Sequence, residues 1–220
     1  MKRYILYFIG LNLIALGIVT NITTGLGVAA LSSSIYATSE IFHLSLGMAS
    51  ILWYILFVII QCIIMRGITR EIILEIPLSL LFGYLMDFYD MIIVIQPSSI
   101  FMSLIILFIA ISAISIGVYS TSQTNLVLNP GDGIVKTISN AYNQPFYNVK
   151  NYFDISMIIC SITLSFVTRH TIMGIGIGTV ISAILIGRFI KIWHSLLNPL
   201  LFPQIENKQI KKYGLYTIFF

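Results

Sequence analysis

The sequence predicts an all-α fold: a polytopic membrane protein of six transmembrane helices, arranged as two inverted three-helix repeats with a short linker helix in each. Three observations carry that expectation. The 220 residues are 58% hydrophobic and 9% charged, with a mean hydropathy of +0.97, whereas soluble globular domains are roughly 25% charged. The apolar residues fall into six runs, each close to the ~20 residues that cross a bilayer as a helix. The two halves of the chain also match one another at offsets near 100 residues.

The first run, 4–24, follows Lys2 and Arg3 as in a signal peptide, but it exceeds an ordinary apolar signal core and lacks a clear small-residue cleavage site. It is therefore read as a retained helix. After it, "VAALSSSIYATSEIF" has helical character within a linker of about 20 residues, too long for a tight helix-helix loop. Runs 45–65 and 73–94 follow, separated by Arg66 and Arg70, and run 99–121 opens the second half.

Then comes "NLVLNPGDGIVK", where Pro130, Gly131 and Gly133 break the apolar pattern. Asp132 is placed to cap or turn the helix that "GIVKTISNAY" predicts. A helix N-terminus beside a cavity presents free N–H groups to an anionic ligand, and the plainer reading is a cytoplasmic turn. Spans 148–168 and 173–194 complete the set. The basic tail 201–220 is read either as lying on the inner leaflet or as a frayed terminus with solvated lysines.

The half-repeats run over about 1–96 and 97–200 of a single membrane domain. "EIPLSLLFGYLMDF" from Glu75 matches "TVISAILIGRFIKI" from Thr179, setting Gly83 on Gly187 at an offset of 104. Earlier, Ala30 falls opposite Pro130 at an offset of 100, so a small gap lies between. Three spans per half is an odd number, so the halves insert upside down relative to each other. The two linkers then close opposite ends of a central cavity, as short surface or re-entrant helices.

Charge sets the orientation. With the N-terminus inside, Lys2, Arg3, Arg66, Arg70, Lys136, Lys191, Lys208, Lys211 and Lys212 all fall on the cytoplasmic side, and Arg169 stands outside. That asymmetry places both termini in the cytoplasm and the protein in the cell membrane. The net charge of +4 forms no basic patch interleaved with aromatics, so the expected partner is the lipid bilayer and not nucleic acid. Cys62 and Cys160 lie within apolar runs and read as small buried hydrophobes. No segment of about 50 polar residues, the lower size of a domain, is present to fold outside the membrane.

In the second half, Pro130 and Asp132 in the turn, followed by Gly176, Gly178, Thr179 and Gly187, resemble the YczE/YyaS/YitT family of bacterial integral membrane proteins. The first half departs, with Ala30, Leu31 and Ser32 in the turn and Glu75, Ile76 and Pro77 at the later entry. The resemblance covers nearly the whole chain and implies helices in the membrane. It hands over no substrate.

Charges inside spans cost at least about 2.5 kcal/mol at the bilayer centre and so point to function. The candidate substrate-binding residues are Asp87, Asp132, Lys150, Asn151 and Asp154, with Lys150 and Asp154 four apart on one helix face. Glu75 and Arg188 read as interfacial, and Asp90 as solvated. The alternate glycines 174, 176 and 178 favour an irregular backbone or close approach on two sides. His43, His170 and His194 sit at span ends on both sides of the membrane and do not converge on a metal.

These residues leave two functions open: a small-molecule permease with a polar site between the halves, or a non-transporting subunit that acts with a protein partner or as a homo-oligomer. No nucleotide-binding, cofactor or hydrolase motif is complete, so no cofactor and no enzymatic activity are expected.

Overall fold

The computed structural model describes residues 2–124 and 126–201. The regular structure among them is helical: α1 (Lys2–Thr23), α2 (Ala30–Phe42), α3 (Leu46–Met65), α4 (Arg70–Ile92), α5 (Ile100–Gln123), α6 (Pro130–Tyr142), α7 (Phe146–Arg169) and α8 (Ile177–Leu201). Six are long and apolar enough to cross a membrane. The other two, α2 and α6, have 13 residues each and so reach about 20 Å, two thirds of a hydrocarbon core. From 202 onward the expected basic tail, with Lys208, Lys211 and Lys212, lies outside the described residues.

Local chemistry sets the ends. The side chains of Ser45, Thr69 and Ser99 accept the N–H of Met48, Ile72 and Met102 at the starts of α3, α4 and α5. Thr69 thereby starts α4 at Arg70, three residues before the expected 73. Four helices end on a left-handed residue: His43, Arg66, Asn143 and His170, at φ between 50° and 55°. α6 corrects one expectation, because it begins at Pro130 with Asn129 as its cap residue. Proline suits the first helical position, and Asp132 consequently sits inside the first turn with its side chain free for another partner.

The repeat is visible bond by bond. Thr24 and Thr124 each donate to the carbonyl three residues back, of Asn21 and Thr121, and accept the N–H two residues on, of Leu26 and Leu126. Ser39 and Ser139 donate to the carbonyls of Leu44 and Gln144. All these pairs stand 100 apart. Beyond them α7 has 24 residues where α3 has 20, about one extra turn. The left-handed caps Arg66 and His170 are therefore 104 apart, which accounts for the gap that the sequence required.

The sense of the repeat follows from α1 against α5. Gly10 lies against Gly117 and Thr121, and Gly17 against Ala110 and Ile114. The two helices are thus antiparallel. Gly17 matches Gly117 and Gly10 matches Ala110, so one contact is the image of the other across a two-fold axis perpendicular to both helices. The halves also interleave: α2 packs on α7, and α6 on α3. Ser34 donates to the carbonyl of Met157 at 2.7 Å, and Ser161 donates to the carbonyl of Ser33 at 3.1 Å. At the axis the side chain of Leu31 packs against its own counterpart, Gly131, so the first turns of the two short helices meet there.

The loop before α2 also crosses the entry to α8. Gly178 N–H donates to the carbonyl of Leu26 at 2.7 Å, and Val28 N–H to that of Gly174 at 2.8 Å. Gly27 and Gly176 leave no room for a Cβ between these backbones. The glycine run is therefore both irregular and closely approached, and it delays α8 from the expected 173 to Ile177.

Symmetry fails at the last helix. α3 and α4 interlock, with Gly47 against the Gly83 carbonyl, whereas α8 packs on α5 and touches α2 with no comparable contact to α7. Among the described residues, a Cβ added at Gly187, the image of Gly83, would meet no neighbour within 4 Å, and the sequence places Tyr147 where α3 has Gly47.

Candidate functional site

Lys150, on the first full turn of α7, lies 3.3 Å from Asp132 Oδ1 of α6 and 3.2 Å from Asp154 Oδ1 of its own helix. The short connection 143–145 folds α7 back beside α6, and the i,i+4 spacing adds Asp154. The three side chains are about three quarters buried, at 28% exposed for the lysine and 27% for each aspartate. Phe153 stands 6.0 Å from the ammonium and packs edge-on against Phe57 at 5.4 Å. One ammonium thus serves two carboxylates in largely apolar surroundings.

The first half supplies the wall. Tyr54 of α3 is fully buried, and Asn129 Nδ2 donates to its hydroxyl at 3.4 Å. Among the described residues nothing pairs with Asn129 Oδ1, which is buried. Of the five residues expected at a site, Asp132, Lys150 and Asp154 come together, while Asn151 is exposed. Asp87 lies elsewhere: its carboxylate accepts the N–H of Gly47 at 2.6 Å and the hydroxyl of Ser45 at 2.8 Å. α4 thus caps the N-terminus of α3, where a negative charge meets the helix dipole. Asp87→Ala is expected to cost about 1–2 kcal/mol, measured as a lowered thermal midpoint.

A second polar cluster lies on the other face of α6. Glu75, expected at the interface, is 3% exposed and faces Gln61 of α3 and Gly133 of α6. Gln61 Nε2 donates to its Oε2 at 2.6 Å, and Gln61 Oε1 accepts from Thr137 Oγ1 at 2.9 Å. Gly133 faces the carboxylate so closely that a Cβ there would run into it. The cluster floors a cleft of about 330 Å³, whose rim carries Thr69, Arg70, Asn140 and the ion pair of Lys136 with Glu71 at 3.5 Å. Gln61 was missed from sequence. The available signal is that Gln61 stands five residues before Arg66, and Glu75 five after Arg70, which places both at one depth on antiparallel neighbours.

The histidines have structural partners. His43 contacts Arg169 at 3.1 Å, and His194 stacks edge-on against Tyr119 at 5.8 Å. Among the described residues no three His, Cys, Asp or Glu side chains gather as a metal-holding group.

Comparison with curated proteins and with solved structures gives no match. Comparison with protein families does give one, over residues 1–195, a stretch holding both polar clusters and every long helix except the end of α8. The chain belongs to that family, the family of unknown function DUF6198.

Proposed function

We propose that the protein is a small-molecule permease of the cell membrane, with both termini cytoplasmic, a polar site between its inverted halves and no enzymatic activity. One observation carries this reading: the antiparallel, two-fold related halves interleave through short helices whose first turns meet at the shared axis, at Leu31 and Gly131. Inverted repeats with interrupted helices at mid-depth are how many secondary transporters build a site that opens alternately to either side. The charged cluster of Asp132, Lys150 and Asp154 bridges the short helix α6 to the span α7. It is a bond that a solute with charges of its own can enter and exchange. The kinship with the YczE/YyaS/YitT family belongs to the same reading.

The second reading, a membrane subunit serving a partner protein, draws on α8. That helix is largely uncovered, with Ile177, Val180, Ile184, Ile192 and Leu196 exposed, and a partner helix would fit there as well as lipid does.

Uptake by the purified protein in liposomes separates the two. A labelled panel of amino acids, vitamins and organic ions is expected to yield a substrate that wild type accumulates and that Asp132→Asn and Asp154→Asn lose at least tenfold in rate. Asp87→Asn is expected to retain uptake, since Asp87 shares no contact with the cluster. Folded wild type that moves nothing in the panel would reject the permease in favour of the subunit.

A further inference from the structure

Among the described residues Glu75 is more deeply buried than Asp132 and Asp154 and, unlike them, has no salt bridge. Asp132 and Asp154 share Lys150, and at the rim of the cleft Lys136 is bound to Glu71. Among the described residues no salt bridge reaches Glu75, whose one hydrogen-bonded neighbour at the carboxylate is the Gln61 amide. Burying a carboxylate is costly unless a positive charge meets it. Here the fold makes room for one: the glycine at 133 clears the α6 backbone from the carboxylate, and the cleft beyond it holds about 330 Å³, within the roughly 300–1,000 Å³ of small-molecule sites.

The donor set selects among cations. The Thr137 hydroxyl occupies the carbonyl of Gln61, which turns the amide NH2 toward Glu75. A calcium or magnesium ion needs six or more oxygen ligands, and this floor offers one carboxylate beside an amide donor. A nitrogen cation needs fewer acceptors and gains charge-assisted hydrogen bonds from each. The walls add the hydroxyls of Thr69 and Thr137 and the amide of Asn140. We propose that this cleft binds a small organic cation through Glu75, with an ammonium or guanidinium nitrogen against the carboxylate and the rest of the solute between α3, α4 and α6. This names a substrate class for the permease reading and rests on that reading for its role, while the binding itself is measurable without transport.

The test is calorimetric titration of the full-length protein in detergent with the chlorides of methylammonium, guanidinium, sodium, potassium and calcium. Saturable binding of methylammonium or guanidinium is expected, at least tenfold tighter than that of any inorganic cation. Glu75→Gln is expected to weaken it at least tenfold, and Glu75→Asp by less. Gly133→Ala keeps the charge but displaces the carboxylate, and it is expected to weaken binding several-fold with the helical content unchanged. That variant decides the matter if Glu75→Gln fails to fold. Equal affinity in wild type and either variant would overturn the proposal, as would saturable binding of the metal ions alone. Binding that Glu75→Gln abolishes, without uptake of that cation into liposomes, would sink the permease and leave the site; uptake indifferent to Glu75→Gln would do the reverse.

Discussion

Replacing Lys150 by methionine is expected to destabilise the protein by about 3–5 kcal/mol, the usual loss when one partner of a buried ion pair is removed. The size follows from what is left behind. Asp132 and Asp154 both sit within 3.3 Å of the ammonium, so its removal leaves two like charges facing one another beside Phe153. Methionine keeps the length and apolar stem of lysine, so the loss reads the charge and not a cavity. Asp154→Asn alone is expected to cost much less, because Lys150 retains Asp132. The triple variant Lys150→Met, Asp132→Asn, Asp154→Asn is expected to recover most of the stability, since no charge remains unpaired. Thermal unfolding in detergent, read by circular dichroism, gives the order: single lysine variant lowest, triple variant near wild type. A lysine variant as stable as wild type would mean that water already reaches both carboxylates.

What the sequence disclosed and what it withheld divide along the range of the interactions. Hydropathy is a local property, so the six spans, the two linker helices and the 100- and 104-residue offsets were all legible, with boundaries shifted by a few residues where Thr69 and Gly174 intervene. The pair of Lys150 and Asp154 was legible too, because four residues is one helical turn. Asp87 was placed in the candidate site for its depth, yet its partners are Ser45 and Gly47 across a helix contact that no spacing encodes. Glu75 was read as interfacial by its position near the inner end of α4, which says nothing of its neighbours. It is buried with Gly133 from the other half opposite its carboxylate. The parting of α7 from α8 left only a faint trace in the sequence, a tyrosine at 147 where the first half has Gly47.

The two-fold axis makes a stronger demand than either half alone: substitutions at matching positions should have matching effects. A Cβ at Gly17 would meet the Ala110 carbonyl and the Ile114 nitrogen, both at 2.9 Å; one at Gly117 would meet the Gly10 carbonyl at 2.6 Å and the Ile14 nitrogen at 2.9 Å. These are backbone atoms, which cannot turn aside as a side chain can. Gly17→Leu and Gly117→Leu are each expected to lower stability by about 3 kcal/mol, the upper end for overpacking, because α1 and α5 must separate to admit the side chain. Gly187→Leu is expected to stay within about 0.5 kcal/mol of wild type, since open space surrounds that glycine. Thermal midpoints of the three variants in detergent and in lipid vesicles decide the point. Similar losses at 17 and 117 mark α1 and α5 as the symmetric seam on which the inverted halves are built, while a loss at only one would confine the symmetry to the outline of the fold. A large loss for Gly187→Leu in vesicles, absent in detergent, would show that the exposed face of α8 is covered in the bilayer by another helix, which is what the partner-subunit reading requires.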